Sequence, residues 1–233
     1  MSTRVEGSLS TQLNPFGPQW PTAKAGEAAP VGEQVQQALF GKPKPVVLDP
    51  AQFPELAAAL RLLRKYRKKL TAMAGDAENE YDLVLADGTI AQIDDQGTVY
   101  VGARFLAACK GKPELLVGVL AHEIGHRPKR WNEYRVRKQL TREEIETICR
   151  YEETRADIFA GKALAEMRMS PEPMIEFLEA VQDKPHREYF PAEVRAEIIR
   201  DAHSGRKYRA DNRRKMFPGF DRMTSPKGHL GEY

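Results

Sequence analysis

The segment VLAHEIGHRP, residues 119–128, places the strongest constraint on this chain. His122 and His126 lie four residues apart, and the preceding residues, PELLVGVLA, are apolar, as expected of a buried helix. Side chains at this spacing project from the same helix face one turn apart, which places both imidazoles to bind a single tetrahedral ion. Pro128 cannot continue the helical hydrogen bonds, so the helix is predicted to end just after His126.

Two residues between the histidines have predicted roles of their own. Glu123 follows the first histidine and is angled away from the ion, so its carboxylate can act as a general base beside a metal-bound water. Gly125 is interpreted as leaving room for a chain that passes close to the metal. Because a five-residue pattern of this kind also occurs by chance, the prediction of a zinc site depends on a third ligand elsewhere in the sequence.

The segment YEETRADIFAGKAL, residues 151–164, supplies that ligand. Glu153 and Asp157 are four residues apart on a predicted helix, on the side that also carries Ala156 and Ala160. Glu153 is predicted to be the third zinc ligand, which leaves the fourth position to water, as in catalytic zinc sites. Asp157 is predicted to accept a hydrogen bond from a zinc-bound histidine and so to fix its orientation. The alternative, a solvated acidic face, is disfavoured by the apolar residues around these two acids.

Three segments, in this order, resemble the HtpX-like and CAAX prenyl endopeptidase group of gluzincin metallopeptidases: GTVYVGARFLAACKGKPELLVGVLAHEIGH, ETRADIFA and MSPEPMIEFLEAV. The resemblance covers about residues 91–181. It implies a zincin-like α+β fold with one Zn²⁺ per chain and zinc-dependent hydrolysis of peptide bonds. It also implies the same site residues, with Glu123 as the catalytic base and Asp157 behind the ligands. The implied zinc ligands are His122, His126 and Glu153.

The chain departs from that family in two respects. The membrane enzymes of the family carry transmembrane helices, whereas the longest apolar run here, residues 115–121, is far shorter than the roughly 20 residues of a membrane span. A soluble, minimal protease is therefore the nearer comparison. Relatives commonly have His-Pro-Ser before a helix with an arginine, where this chain has Phe-Pro-Ala at 190–192. His186 and Tyr189 are the candidates for the missing oxyanion donor, with a surface role as the alternative for each.

The chain divides into three predicted parts. Residues 1–50, rich in Pro, Gly and Ala, form an extended arm, interpreted as a linker, a delivery signal, or a pro-segment that inhibits by covering the cleft. Residues 51–204 form the predicted metallopeptidase domain, and residues 205–233 a basic tail. A first helix starts near Ala51 and ends at Gly75, with leucines at helical spacing.

Short strands and then helices follow this first helix. The strands YDLVLA, TIAQI and TVYVG are separated by the turn signals DG and DDQG, which predict a small antiparallel sheet. GTVYVG is expected to be the edge that binds a substrate as an added strand. Further helices are predicted over 113–127, 133–139, 141–167, from Ser170-Pro171, and over 191–203. This order of elements predicts an α+β domain.

Composition excludes some classes of protein. A formal charge of +3 over 233 residues gives no general case for nucleic acid or an anionic membrane, and the basic residues of the first helix and of segment 205–222 are interpreted as solvated. Cys109 and Cys149 are predicted to be buried thiols, which suits a cytoplasmic location. No signal peptide is evident, so secretion would follow a leaderless route.

Three alternatives stay open. One is a nucleic-acid module in segment 205–222, which mixes basic and aromatic residues, although a solvated tail is the favoured interpretation. The other two concern the histidine site. ImmA- and IrrE-like regulatory proteases, which cleave repressors, share the helix with two histidines and a later acidic helix. A non-catalytic zinc-binding protein is the remaining alternative, although an intact Glu123 and only three protein ligands argue against a structural site.

Overall fold

The computed structural model describes residues 43–128, 141–182 and 188–206. Two short 3-10 turns, Pro50–Gln52 and Pro54–Leu56, lead into helix α1, Ala57–Met73. The leucines that predicted this helix, at 56, 60, 63 and 70, are all buried. The chain leaves α1 through Gly75, whose φ of 71° is in the left-handed region that favours glycine.

Three strands form one sheet in the order β1-β3-β2. They are β1, Asp82–Ala86, β2, Ala91–Ile93, and β3, Thr98–Gly102. β2 and β3 form the predicted antiparallel hairpin, whereas β1 pairs with β3 in parallel, so the prediction of an antiparallel sheet was wrong for this pair.

Gly102 gives the physical reason for the mixed sheet. The connection from β1 to β2 passes over the end of β3, at Gly102. A Cβ built at Gly102 would lie 1.7 Å from the carbonyl oxygen of Thr89, so any residue with a side chain would clash with this connection. The main-chain N–H of Gly102 donates to the carbonyl of Ile90 at 2.8 Å. The DG turn therefore reverses the chain without pairing β1 with β2.

The sheet order also corrects the predicted edge strand. β3 has a strand on each side, so its main chain is not available for an added strand. Residues 46–48 run along the outer side of β1, where Leu48 N–H donates to the Leu85 carbonyl at 2.9 Å and Asp87 N–H donates to the Val46 carbonyl at 2.9 Å. Residues 46–48 thus cover the Leu85–Asp87 end of the outer edge of β1 by one isolated bridge, and β2 is the other edge strand of the sheet.

Five helices follow the sheet in the described residues. They are α2, Ala103–Cys109, α3, Pro113–Gly125, α4, Arg142–Glu166, α5, Glu172–Val181, and α6, Ala192–His203. The coarse α+β class is thereby confirmed. Helix α2 was not predicted, and its seven residues follow β3 without a turn signal. The predicted helix 133–139, residues 1–42 of the arm and residues 207–233 of the tail lie outside the described residues.

Helices α3, α4 and α6 pack closely through glycines. A Cβ at Gly125 would lie 2.9 Å from Cα of Ala156 on α4, and one at Gly161 would lie 2.5 Å from the carbonyl oxygen of Ile199 on α6. The chain that passes close to Gly125 is therefore α4, the helix that carries Glu153. Cys109 and Cys149 are free and buried, as predicted. Among the described residues, no helix has the length and apolar character needed to cross a bilayer.

Candidate metal centre

Two packed helices bring the three predicted ligands together. His122 lies in the last turn of α3, His126 caps that helix, and Glu153 lies midway along α4. All three are buried, and one donor atom from each lies within 4.8 Å of the others. His122 Nε2 is 3.2 Å from Glu153 Oε2, and His126 Nε2 is 3.7 Å from Glu153 Oε1. This group could hold a metal ion.

The donor distances and one unsatisfied oxygen fit a metal ion. Ligands at 2.0–2.2 Å in a tetrahedral site lie about 3.3–3.6 Å from one another. The two nitrogen–oxygen distances are near this range, although each involves a different oxygen of Glu153, and the full set of three donor atoms lies within 4.8 Å. The buried Oε2 of Glu153 accepts no hydrogen bond from the part of the chain that the structure describes, although His122 Nε2 lies 3.2 Å away. A buried carboxylate oxygen without a donor is unfavourable, and a cation at this position would satisfy it.

A second carboxylate lies behind His122. Nδ1 of His122 is 3.0 Å from Oδ1 of Asp157, which is fully buried one turn after Glu153 on α4. Nδ1 thus faces Asp157 and Nε2 faces Glu153, so Nε2 is the nitrogen presented to a metal. The carboxylate of Asp157 is in the position predicted for a residue that orients a ligand histidine.

Arg195 on α6 completes the cluster and was not predicted as a site residue. Its Nε donates to Asp157 Oδ2 at 2.8 Å and its Nη2 donates to Asp157 Oδ1 at 2.9 Å, while Nη2 is 3.7 Å from Glu153 Oε2. The signal was present in the sequence, because Arg195 lies on the buried stripe of α6 with Ala192, Ala196 and Ile199. An arginine on such a stripe requires a buried acidic partner.

Charge pairing dominates the electrostatics of the centre. Burial lowers the pKa of His122, but its contacts with Asp157 and Glu153 outweigh burial and raise the pKa to about 10. Burial raises the pKa of Glu153, but the charge of His126 and the contact with His122 lower it to about 2. For Asp157, the adjacent Arg195 guanidinium likewise overcomes burial and lowers the pKa. Metal binding must therefore displace a proton from His122.

Two further predicted site residues lie in the described part of the chain. Glu123 is buried in the last turn of α3, directly after His122. Tyr189 is buried with its ring centroid 5.3 Å from the Arg195 guanidinium carbon, and burial together with the charge of Glu153 raises its pKa well above 10. Its hydroxyl therefore keeps its proton. His186 lies outside the described residues.

A separate cluster fixes the end of the histidine helix. Arg127, immediately after His126, has a φ of 44°, a left-handed conformation that ends the helix before Pro128. Its guanidinium binds the carboxylate of Asp76 through Nη2 and through Nε, which donates to Oδ2 at 3.0 Å. The hydroxyl of Tyr81 donates to the same Oδ2 at 2.6 Å. The ligand helix is thus anchored to the chain that leaves α1.

Comparison with protein families, with curated proteins and with solved structures finds no match to this chain.

Proposed function

We propose that the protein is a zinc-dependent endopeptidase. The observation that carries this proposal is the buried group of His122, His126 and Glu153, with Glu123 next to the first ligand. Two histidines and one carboxylate are a ligand set used by catalytic zinc sites, which keep the fourth position for water or substrate. The gluzincin resemblance supports the same assignment of ligands and base.

In this mechanism the residues of the chain would hold the zinc ion, orient its ligands and transfer protons at one peptide bond. A zinc ion at the site would lower the pKa of the attacking water toward about 7 and polarise the scissile carbonyl. Glu123 accepts a proton as the water oxygen bonds to the carbonyl carbon, and donates it to the amine as the C–N bond breaks. Asp157, held by Arg195, keeps Nε2 of His122 directed at the ligand cluster. The protonated Tyr189 hydroxyl is the candidate oxyanion donor.

Binding of the substrate as an added strand is now proposed for β2 instead of β3. β2 contacts α3, the helix that carries the histidines. Asp94 N–H donates to the Thr98 carbonyl and the Ile90 carbonyl accepts from Gly102, so alternate residues of this segment face β3. The main-chain groups of Ala91 and Ile93 consequently point away from β3, the side on which an extended peptide would pair with β2. Both residues are buried and the Ala91 carbonyl accepts from the Thr89 hydroxyl at 3.4 Å, so this pairing requires neighbouring residues to move.

The deciding experiment is the substitution Glu123→Gln, which preserves shape and removes the base. Wild type and variant are incubated with a proteome, and new N-termini are mapped. The variant is expected to retain zinc and to lose most cleavage, by about 10²-fold or more. Glu114→Gln, in the first turn of the same helix, is the matched control and should cleave as wild type does. Full activity in Glu123→Gln would contradict the assigned base.

Metal content tests the ligands separately from the chemistry. The purified chain is expected to bind close to one zinc ion, and His122→Ala, His126→Ala and Glu153→Ala should each weaken binding strongly, because each removes one of three protein ligands. Glu166→Ala, exposed at the end of α4, is the control. Competition with a zinc chelator gives the affinities, and unchanged affinity in all three variants would remove the basis of the proposal.

The same experiments separate the alternatives. A non-catalytic zinc-binding protein would bind zinc and produce no new N-termini with either wild type or the Glu123→Gln variant. A regulatory protease would cleave one or a few proteins instead of many, and an enrichment of repressors among the cleaved proteins would identify that class.

A further inference from the structure

One face of α1 carries a continuous cluster of positive charge, which we call the basic face. On the helix these side chains fall at i, i+3, i+4, i+7 and i+8, opposite the buried leucines, and all are exposed. They are Arg61, Arg64, Lys65, Lys68 and Lys69.

The charges of this face are not balanced by acids. Helix α1 contains no aspartate or glutamate, and among the described residues only Lys68 meets a carboxylate, that of Glu78 at 2.7 Å. Within α4, by contrast, Arg142 pairs with Glu146 four residues further on. Like charges three and four residues apart destabilise a helix by mutual repulsion. Among the described residues, the pair of Lys68 with Glu78 and the contacts of Lys65 and Lys69 with the ring of Tyr66, at 5.7 and 5.6 Å, offset only part of this repulsion. A bound polyanion would offset it.

The other residues of the face decide which polyanion fits. Between the cations the exposed surface is formed by alanines, at positions 58 and 72, while Leu62 and Tyr66 pack against the core. A membrane-surface helix needs large apolar residues beside its cations, and protein interfaces are depleted in lysine and centred on aromatic anchors. On α1 the side chains of Leu62 and Tyr66 are partly buried against the core, and the one large apolar residue that is exposed is Met73, at the end of the helix. The basic face therefore carries neither a continuous apolar stripe nor an exposed aromatic anchor. A nucleic-acid backbone requires only the positive charge.

We propose that the basic face of α1 binds the phosphate backbone of nucleic acid without reading its sequence. From Arg61 to Lys69 the face extends about 12 Å, a length over which duplex DNA carries about seven phosphates. Arginine can bind a phosphate through two parallel hydrogen bonds, and lysine acts as a point charge. This assignment replaces the interpretation of the cluster as a solvated face, and it is independent of the metal centre.

The test compares two triple variants of the full chain with equal charge. Arg61→Gln/Arg64→Gln/Lys65→Gln changes the basic face, and Arg104→Gln/Lys110→Gln/Lys112→Gln changes exposed cations in and after α2. Fluorescence anisotropy with a labelled random-sequence duplex gives the affinity at several salt concentrations. The basic-face variant should bind at least about tenfold more weakly at low salt, with a log–log salt slope reduced by about 2 to 3, and the control should bind within about twofold of wild type.

Other results would overturn the proposal. They are an unchanged affinity of the basic-face variant, an equal loss in both triple variants, or binding to phosphatidylserine vesicles without binding to the duplex. Circular dichroism confirms that each variant is folded. Lys68→Gln/Lys69→Gln, on the last turns of the same face, gives a second measurement and should also weaken binding to the duplex.

Discussion

At the scale of single residues, Arg195 compensates the buried charge of the metal centre. It binds Asp157 and lies 3.7 Å from Glu153, and its removal would leave the fully buried Asp157 with His122 as its one neighbouring cation among the described residues. Breaking a buried pair by removing one partner typically costs about 3–5 kcal/mol. We expect Arg195→Gln to lower the free energy of unfolding by that amount, measured by urea denaturation of the metal-free protein.

Arg200 on the same helix is the control for this prediction. It binds Glu172 through two hydrogen bonds, but both side chains are nearly half exposed. Exposed pairs contribute about 0–1 kcal/mol, so Arg200→Gln should destabilise the protein little. Equal losses of the free energy of unfolding in the two variants would show that the buried pair of Arg195 and Asp157 stabilises the protein no more than an exposed pair does.

The sequence reveals site residues that share a helix better than those brought together from different helices. His122 and His126 follow helical periodicity, as do Glu153 and Asp157, so the pattern placed each pair on one face without knowledge of the fold. Arg195 lies 38 residues from its partner. Periodicity within one helix predicts that an arginine is buried, but it carries no information on which distant acid the arginine will meet.

At the scale of elements, Gly125 sets the distance between the two ligand helices. An alanine at this position would place its Cβ 2.9 Å from Cα of Ala156 and 3.2 Å from Cβ of Phe159. Backbone atoms cannot move aside as side-chain ends do, so the helices must separate. We expect Gly125→Ala to destabilise the protein by about 1–3 kcal/mol and to weaken zinc binding, measured by thermal unfolding and chelator competition.

Gly111→Ala is the matched control, because a Cβ there would meet no atom within 4 Å. It should leave both stability and zinc affinity close to wild type. If Gly125→Ala bound zinc with unchanged affinity, the spacing of α3 and α4 would not limit the geometry of the centre.

The sheet shows why the pairing of strands is harder to predict from the sequence than their positions along the chain. All three strands were identified from alternating apolar residues and turn signals, and the hairpin of β2 and β3 was correct. Turn signals indicate where a chain reverses, but not which neighbour a strand will choose. The crossing above Gly102 depends on contacts between residues 89 and 102 that no local pattern encodes.

At the scale of the whole molecule, the charges of the centre predict how stability depends on pH. The pKa of His122 is raised from an ordinary 6.5 to about 10, so its contribution in the metal-free protein is complete below pH 6.5 and is lost as pH rises toward 10. The pKa of Glu153 is lowered from an ordinary 4.5 to about 2, so its contribution is complete above pH 4.5 and is lost as pH falls toward 2. Both contributions are complete between pH 4.5 and 6.5.

Thermal unfolding with and without a chelator tests this window. The melting temperature of the metal-free protein should fall by several degrees between pH 6.5 and 9, whereas the zinc-loaded protein, in which His122 has already released its proton, should not show this fall. The metal-free His122→Gln variant should also lack it. A metal-free protein as stable at pH 9 as at pH 6.5 would contradict the charge pairing described for His122.

The bidentate pair between α4 and α6 also limits how the centre could be transplanted. A designer who grafted only α3 and α4 onto a new scaffold would carry over every proposed ligand and the base, yet would bury Asp157 without its guanidinium. That carboxylate would then take up a proton or attract water between the helices, and His122 would lose the acceptor that orients it. The smallest unit that could be transplanted with its buried charges paired therefore contains three helices, α3, α4 and α6.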